Sequence, residues 1–174
     1  MVIELAQMHD LDAIETFFNA VNEAVQDLYY GPEWKKGIYP TRNNAEVNVK
    51  NKSLYIAKLK NQIIGSISLS HVQEPAYEQV HWKTNASARE ILVVRLFAVH
   101  PDFTRRGVAQ TMLTFAVNKA KALKSKTIRL DVVNQNIPAC LLYEKSGFEY
   151  VTTVDLGLPY DKLKWFRLYE FVVQ

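Results

Sequence analysis

A chain of 174 residues, 48% apolar and 22% charged, with a formal charge of +3, has the make-up of one soluble domain, 1–174, large enough for its own core. No dense Lys/Arg stripe with interleaved aromatics points to nucleic acid, and no apolar run approaches membrane-spanning length. The single cysteine, Cys140, excludes an internal disulfide, and residues 1–10 lack the apolar centre of a signal peptide, so a cytoplasmic location is expected.

Val2–Leu5 predicts a first strand. Asp10 is placed to cap a helix carrying Leu11, Ile14, Phe17, Phe18, Val21, Val25 and Leu28 on one face. Residues 29–40 form a loop rich in Gly, Pro and aromatics, and 41–50 a second, weaker helix. Leu54–Leu59 and 63–70 read as a hairpin around Lys60-Asn61-Gln62. Residues 74–88 are polar and loop-like. The apolar run Ile91–Val99 leads into Val99-His100-Pro101-Asp102-Phe103-Thr104-Arg105-Arg106-Gly107-Val108-Ala109. A helix over 108–123 follows, its stripe Ala109, Met112, Leu113, Ala116, Val117, Ala120 and Leu123 turned to the core. Lys119, Lys121, Lys124 and Lys126 read as a solvated edge. Thr127–Val133 alternates and is β-branched, so it is a strand. Asn136 then caps a short helix, Pro138 suits its first turn, and Gly147 suits the position just past its end. A strand over 149–156, a loop with Gly157 and Pro159, and the strand Trp165–Val172 complete a mixed α/β sheet with helices on both faces.

The chemistry starts at Gly107. A strand that ends in a polar loop and opens a helix at a glycine presents several backbone N–H groups in one direction. With the positive end of the helix dipole, these suit an anion such as a pyrophosphate. Gly107 allows close approach, Ala109 keeps the first turn narrow, and Arg105 and Arg106 add charge. The loop is not a P-loop, since no Lys-Ser or Lys-Thr follows the glycine, and it lacks the three glycines of a dinucleotide fingerprint. A helix start with solvated arginines accounts for it equally well when taken alone.

The second segment adds weight to the anion-site reading. Asn136, Ala139, Tyr143, Glu144, Lys145, Gly147 and Phe148 fit the pattern Asn-x-x-Ala-x-x-x-Tyr-Glu-Lys-x-Gly-Phe. Thr104 to Ala109 fit Gln/Arg-x-x-Gly-x-Gly/Ala, departing only at Thr104. In both motifs, spread over about 90–156, the chain resembles the GNAT superfamily of N-acetyltransferases.

The resemblance implies a mostly antiparallel central sheet splayed in its middle. It implies acetyl-CoA as co-substrate and no metal. Thr104, Arg105, Arg106, Gly107, Val108 and Ala109 would meet the pyrophosphate, mainly through backbone N–H groups. A bulge in the preceding strand would aim the Phe97 N–H at the thioester carbonyl, while Ala98 or Val99 would hold the pantetheine amides. Asn136 and Ala139 would line the pantetheine arm. Tyr143 would point its hydroxyl at the sulfur as general acid, although it also reads as an amphipathic core tyrosine.

An alkylamine with a pKa near ~10.4 is neutral only about one part in ~10³ at pH 7, so the acceptor's proton must be handled. Where the family often has a strand carboxylate, this chain has Val93 and Arg95. Glu90, His71 or a water chain remain as the base, and Arg95 as a contact to an acidic acceptor group or a packed stem. Tyr29, Tyr30, Trp34 and Tyr39 are placed to wall a cation or to cover a sheet edge, with Asp27 and Glu33 to pair with an ammonium. The expected partner is a small-molecule primary amine. A peptide or protein amino terminus, a non-catalytic acyl-CoA-binding module and a homodimer stay open.

Overall fold

The computed structural model describes residues 1–28, 34–158 and 163–174. Its elements are β1 (Val2–Leu5), α1 (Leu11–Val25), α2 (Arg42–Lys50), β2 (Leu54–Leu59), β3 (Gln62–Ser70), β4 (Ile91–Val99), α3 (Val108–Ala122), β5 (Thr127–Val133), α4 (Ile137–Lys145), β6 (Glu149–Asp155) and β7 (Trp165–Val172). The sheet is seven-stranded and mostly antiparallel, in the order β1-β2-β3-β4-β5-β7-β6, with β4 and β5 parallel. The described residues fall into two compact units. One holds Met1–Leu28, Trp34–Leu69 and Arg95–Phe115, and the other Ser70–Val94 and Ala116–Gln174.

In the first unit, β2 alternates between two apolar faces. Leu54 and Ile56 pack with Ile14, Phe17 and Phe18 of α1 and Ala45 and Val49 of α2. On the other face Tyr55 meets Phe115 of α3, ring centroids 5.0 Å apart. The first unit therefore carries helices on both faces of its strands. Two buried serines of β3 are satisfied in place: Ser66 Oγ donates to the Leu96 carbonyl at 2.7 Å, and Ser68 Oγ to Asn48 Oδ1 at 2.7 Å. Each would otherwise cost about 1–3 kcal/mol of unpaid desolvation.

Three expectations change here. Asp10 sits at the N-cap of α1 without capping it; its carboxylate accepts from Gln7 N at 2.8 Å and pairs with Lys58 at 2.8 Å. Leu28 lies beyond the end of α1 and is exposed. The second helix starts one residue later than its pattern, because Thr41 serves as its cap and accepts from Asn44 N.

In the second unit, Val93, Val133, Phe166 and Leu168 form one apolar sheet face. The polar segment after β3 covers it, contrary to its loop-like composition. Short 3-10 turns form at Pro75–Gln79 and Ala88–Glu90, and Tyr77 is only 1% exposed within the cluster. A buried ion pair fixes this segment. Arg129 Nε donates to Glu170 Oε1 at 3.2 Å, its other nitrogens to Gln73 Oε1 and the Thr84 carbonyl, and its guanidinium lies 4.1 Å from the centre of the Trp82 ring. Glu170 Oε2 in turn accepts the backbone N–H of Lys83 and of Thr84. Two boundaries shift: α3 ends at Ala122, leaving Leu123 exposed rather than in the core, and β6 ends at Asp155.

Candidate active site

The first group of candidate residues lies in the first unit. β4 is regular until Leu96, whose φ of 46° is left-handed. Such a backbone costs a non-glycine residue roughly 1–2 kcal/mol, so the surroundings must hold it. They do so through the buried Leu96 side chain in the core and through Ser66 on its carbonyl. The irregularity falls immediately before Phe97, where the resemblance implies a bulge. Phe97, Ala98 and Val99 follow it half-buried. Gly65 shows how close the neighbouring chains come: a Cβ there would stand 2.5 Å from Met112 Sδ and 3.3 Å from the Ala98 carbonyl.

After β4 the chain turns through Pro101–Phe103. His100 N donates to the Ile64 carbonyl at 2.9 Å, and His100 Nδ1 accepts from Asp102 N. Thr104 gives both its N–H and its hydroxyl to the Pro101 carbonyl, so its side chain shapes the loop locally. Arg105 and Gly107 both take positive φ, 60° and 78°. Arg106 lies over the Phe103 ring at 5.2 Å, and both arginines are exposed. The first bond of α3 runs from Thr111 N to the Gly107 carbonyl. The N–H groups of Gly107, Val108 and Ala109 therefore precede the helical ladder, as an anion site requires.

The second group lies in the second unit. Asn136 caps α4, its Oδ1 accepting from Ala139 N at 3.3 Å, which leaves Nδ2 as the side-chain donor. Ala139 is half-buried. Gly147 takes φ 88°, and a Cβ there would press on Phe171 at 3.2 Å. That turn brings Phe148 under Tyr143, ring centroids 6.0 Å apart, with Tyr169 on another side at 5.9 Å. Tyr143 is 7% exposed. Burial, and then the negative charge of Asp131, push its phenol well above the usual tyrosine range. The group thus holds its proton throughout the physiological range.

The base candidates separate. Glu90 accepts from Ser87 N and Ser87 Oγ and pairs with Lys126 at 2.9 Å. Lys126 and the Ser87 donors hold its carboxyl down at about 2, too weak a base for an ammonium. His71 is exposed, and its Nδ1 lies 2.7 Å from the Ile91 carbonyl, so that nitrogen carries the proton. Lys126 is thus an ion-pair partner as well as part of a solvated edge. Trp34 and Tyr39 meet edge-on at 5.9 Å and pack against the first unit's core. Tyr29, Tyr30, Glu33 and Pro159 lie outside the described residues.

Four residues of chemical interest carried no expectation: Tyr77, Arg129, Asp131 and Glu170. Tyr77 donates its hydroxyl to Asp131 Oδ1 at 2.7 Å. The available signal was Thr127, Arg129 and Asp131 recurring every second residue in an otherwise apolar strand. Among the described residues no group of His, Cys, Asp and Glu is placed to hold a metal ion, and no helix is long and apolar enough to cross a membrane.

No curated protein matches the chain in sequence. Solved structures share its fold. A GNAT family acetyltransferase from Streptococcus agalactiae superposes with a TM-score of 0.81 at 20% identity, over 99% of this chain and 95% of that one. An acetyltransferase structure from Salmonella typhimurium with its cofactor acetyl-CoA gives 0.73 at 14%, over 100% and 94%. A ribosomal-protein-alanine N-acetyltransferase from Brucella melitensis gives 0.73 at 16%, over 99% of each chain. The sequence pattern of the acetyltransferase (GNAT) family matches residues 12–148, and with the loop at Gly107 and the capped helix bearing Tyr143 it shows that the chain belongs to that family of acetyl-CoA-dependent acetyltransferases.

Proposed function

We propose that residues 1–174 work as a single N-acetyltransferase domain that moves an acetyl group from acetyl-CoA to a primary amine of a small molecule, with Tyr143 as general acid. The residues present fit the cofactor. A Cβ built on Gly107 meets nothing within 4 Å, so the backbone there is open to a phosphate. The N–H groups of Gly107, Val108 and Ala109, with Arg105, Arg106 and the Thr104 turn, would hold the pyrophosphate. Phe97, Ala98, Val99, Asn136 and Ala139 would hold the pantetheine arm. Bound acetyl-CoA supplies an activated acetyl group.

The observation that carries this reading is the placement of Tyr143, a buried and protonated phenol on a helix fixed at one end by the Asn136 cap and at the other by the Gly147 turn. A proton donor is what a leaving thiolate needs. As the C–N bond forms and the C–S bond breaks, Tyr143 would give its proton to the departing sulfur, which leaves as the thiol, and the amine's protons would pass to water, one of them restoring the phenol.

A second reading, acetylation of a peptide amino terminus, draws on the Brucella melitensis neighbour, whose 16% identity speaks for fold alone.

The test is thiol release from acetyl-CoA with phenethylamine, spermidine, lysine and the tripeptide Ala-Gly-Gly. A small amine should outpace the peptide. Tyr143→Phe should slow turnover by about 10²-fold while cofactor affinity holds. Unchanged turnover under conditions where chemistry limits the rate would remove Tyr143 from the reaction.

A further inference from the structure

We infer that Gly65 is a positioning residue for the cofactor: its bare backbone lets Val108 of α3 and Ala98 of β4 close on one point, and so sets the spacing between the Gly107 loop and β4. This rests on the assignment of the pyrophosphate to that loop and of the pantetheine arm to β4.

Consecutive residues of β3 meet alternate positions along the end of β4. The Ile64 carbonyl accepts from His100 N at 2.9 Å, and Ser66 Oγ donates to the Leu96 carbonyl at 2.7 Å. Between these two bonds, a Cβ on Gly65 would stand 3.3 Å from the Ala98 carbonyl. β3 therefore fixes the backbone on both sides of Ala98, including the left-handed Leu96. All of these residues belong to the first unit.

The same Cβ would stand 3.3 Å from Val108 Cγ1 and 2.5 Å from Met112 Sδ. Val108 and Met112 lie one turn apart on α3 and are both buried, so two side chains seat the start of that helix on Gly65. Val108 has a double part. Its side chain rests against Gly65, and its N–H is one of those that precede the helical ladder. A displacement of that side chain therefore displaces a donor of the anion site.

The three neighbours differ in how they yield. Met112 is unbranched and flexible, and turns aside at a cost in packing. Val108 is β-branched and stiff at χ1, and the Ala98 oxygen is backbone, so these two give only if α3 or β4 moves. Alanine at 65 therefore shifts the two halves of the cofactor site against each other by a few tenths of an ångström. CoA would be held at two points of one molecule, so its affinity depends on meeting both at once. A fragment that uses one point is indifferent to the spacing.

The test compares whole CoA with its parts. Gly65→Ala should weaken CoA about tenfold by isothermal titration calorimetry, while inorganic pyrophosphate and pantetheine, followed by backbone amide NMR shifts, stay within about twofold. Introduced into Val108→Ala, which removes Cγ1 and keeps the N–H, the same change should weaken CoA by less than about threefold, because the stiff contact on α3 is gone. If Gly65→Ala alone folds poorly, Gly65→Ala/Met112→Ala relieves the closest contact and keeps the stiff ones, and should show the same tenfold loss relative to Met112→Ala. A CoA affinity within about threefold of the unmodified protein overturns the proposal. So does a pyrophosphate or pantetheine affinity that falls as far as that of CoA, or an equal CoA loss in the Val108→Ala background. If CoA moves none of the Gly107, Val108 and Ala109 amide resonances of the unmodified protein, the assignment of the loop fails and the proposal falls with it. If CoA moves them and Gly65→Ala binds CoA normally, the proposal alone falls.

Discussion

Replacing Arg129 with Met should destabilise the protein by about 3–5 kcal/mol, the cost of breaking a buried ion pair on one side. The structure supports the upper part of that range. Arg129 and Glu170 are 4% and 1% exposed, so neither charge can turn to solvent. The guanidinium makes three hydrogen bonds and stacks on Trp82. Its loss leaves the Glu170 carboxylate buried with only neutral donors: the Thr127 hydroxyl and the N–H groups of Lys83 and Thr84. Glu170→Gln is a nearly isosteric control with a different failure. Its amide oxygen can still accept from Lys83 N and Thr84 N, but its NH2 group then faces Arg129 Nε, donor against donor, and the guanidinium loses its counter-charge. The double variant Arg129→Met/Glu170→Met should lose less than the sum of the single losses, because no uncompensated charge remains, yet stay below the unmodified protein because the N–H groups of Lys83 and Thr84 then lack acceptors. Urea unfolding followed by far-ultraviolet circular dichroism reads the energies, and limited proteolysis reads the 73–84 segment, which should become cleavable first. A total stability of about 5–15 kcal/mol makes the loss easy to see. If Arg129→Met stays within about 1 kcal/mol of the unmodified protein and 73–84 stays protected, the pair is not what holds this segment.

Gly107→Val should leave the fold in place, at about 1–2 kcal/mol for a branched residue at φ 78°, and remove the thermal stabilisation that acetyl-CoA gives; a retained shift would place the phosphates elsewhere. Gly65→Ala should cost about 1–3 kcal/mol in urea unfolding, since its Cβ would meet Met112 Sδ at 2.5 Å inside a packed core, and an unchanged midpoint would show that Met112 yields freely. Glu90 titrates at about 2 in the folded protein against an ordinary value of 4.5, so its contribution is fully present above about 4.5 and is lost as pH falls towards 2. Glu90→Gln should flatten the acid limb of the stability–pH curve in that window, and an identical limb would mean that the Lys126 pair is not formed in solution.

The parts of this protein that were legible in its sequence are those decided within a few residues. The strands β1, β2, β4, β5 and β7 begin and end where alternation or an apolar run does. The cap at Asn136 and the left-handed turn at Gly147 are three- and two-residue events, written in residue types that suit only a few conformations. The same locality makes the Gly107 loop readable, because a glycine before an amphipathic stripe constrains the backbone whatever lies around it. Asp10 shows the limit: its residue type suits a cap, but Lys58, 48 positions on, helps to claim the carboxylate instead. The covering segment fails for the same reason on a larger scale. The buried Tyr77 hydroxyl has an acceptor because Asp131 stands 54 positions later, and Lys83 and Thr84 are fixed because Glu170 stands 87 and 86 positions later. No window of the sequence contains both partners, so polar composition reads as a solvated loop.

Leu96 is a different kind of blind spot. Nothing in Ile91–Val99 disfavours a regular strand, and leucine is a poor residue for φ 46°. Its conformation is imposed by packing, with the side chain in the core and the carbonyl held by Ser66, rather than chosen by the residue. Propensity cannot report such a site. Only the match of the flanking motifs to a family pointed to a bulge there. The two kinds of candidate residue therefore have different origins. The anion loop and the capped helix are local inventions, readable from residue type. The contact of Tyr77 with Asp131, 54 positions apart, forms only through long-range closure, so no local motif contains it.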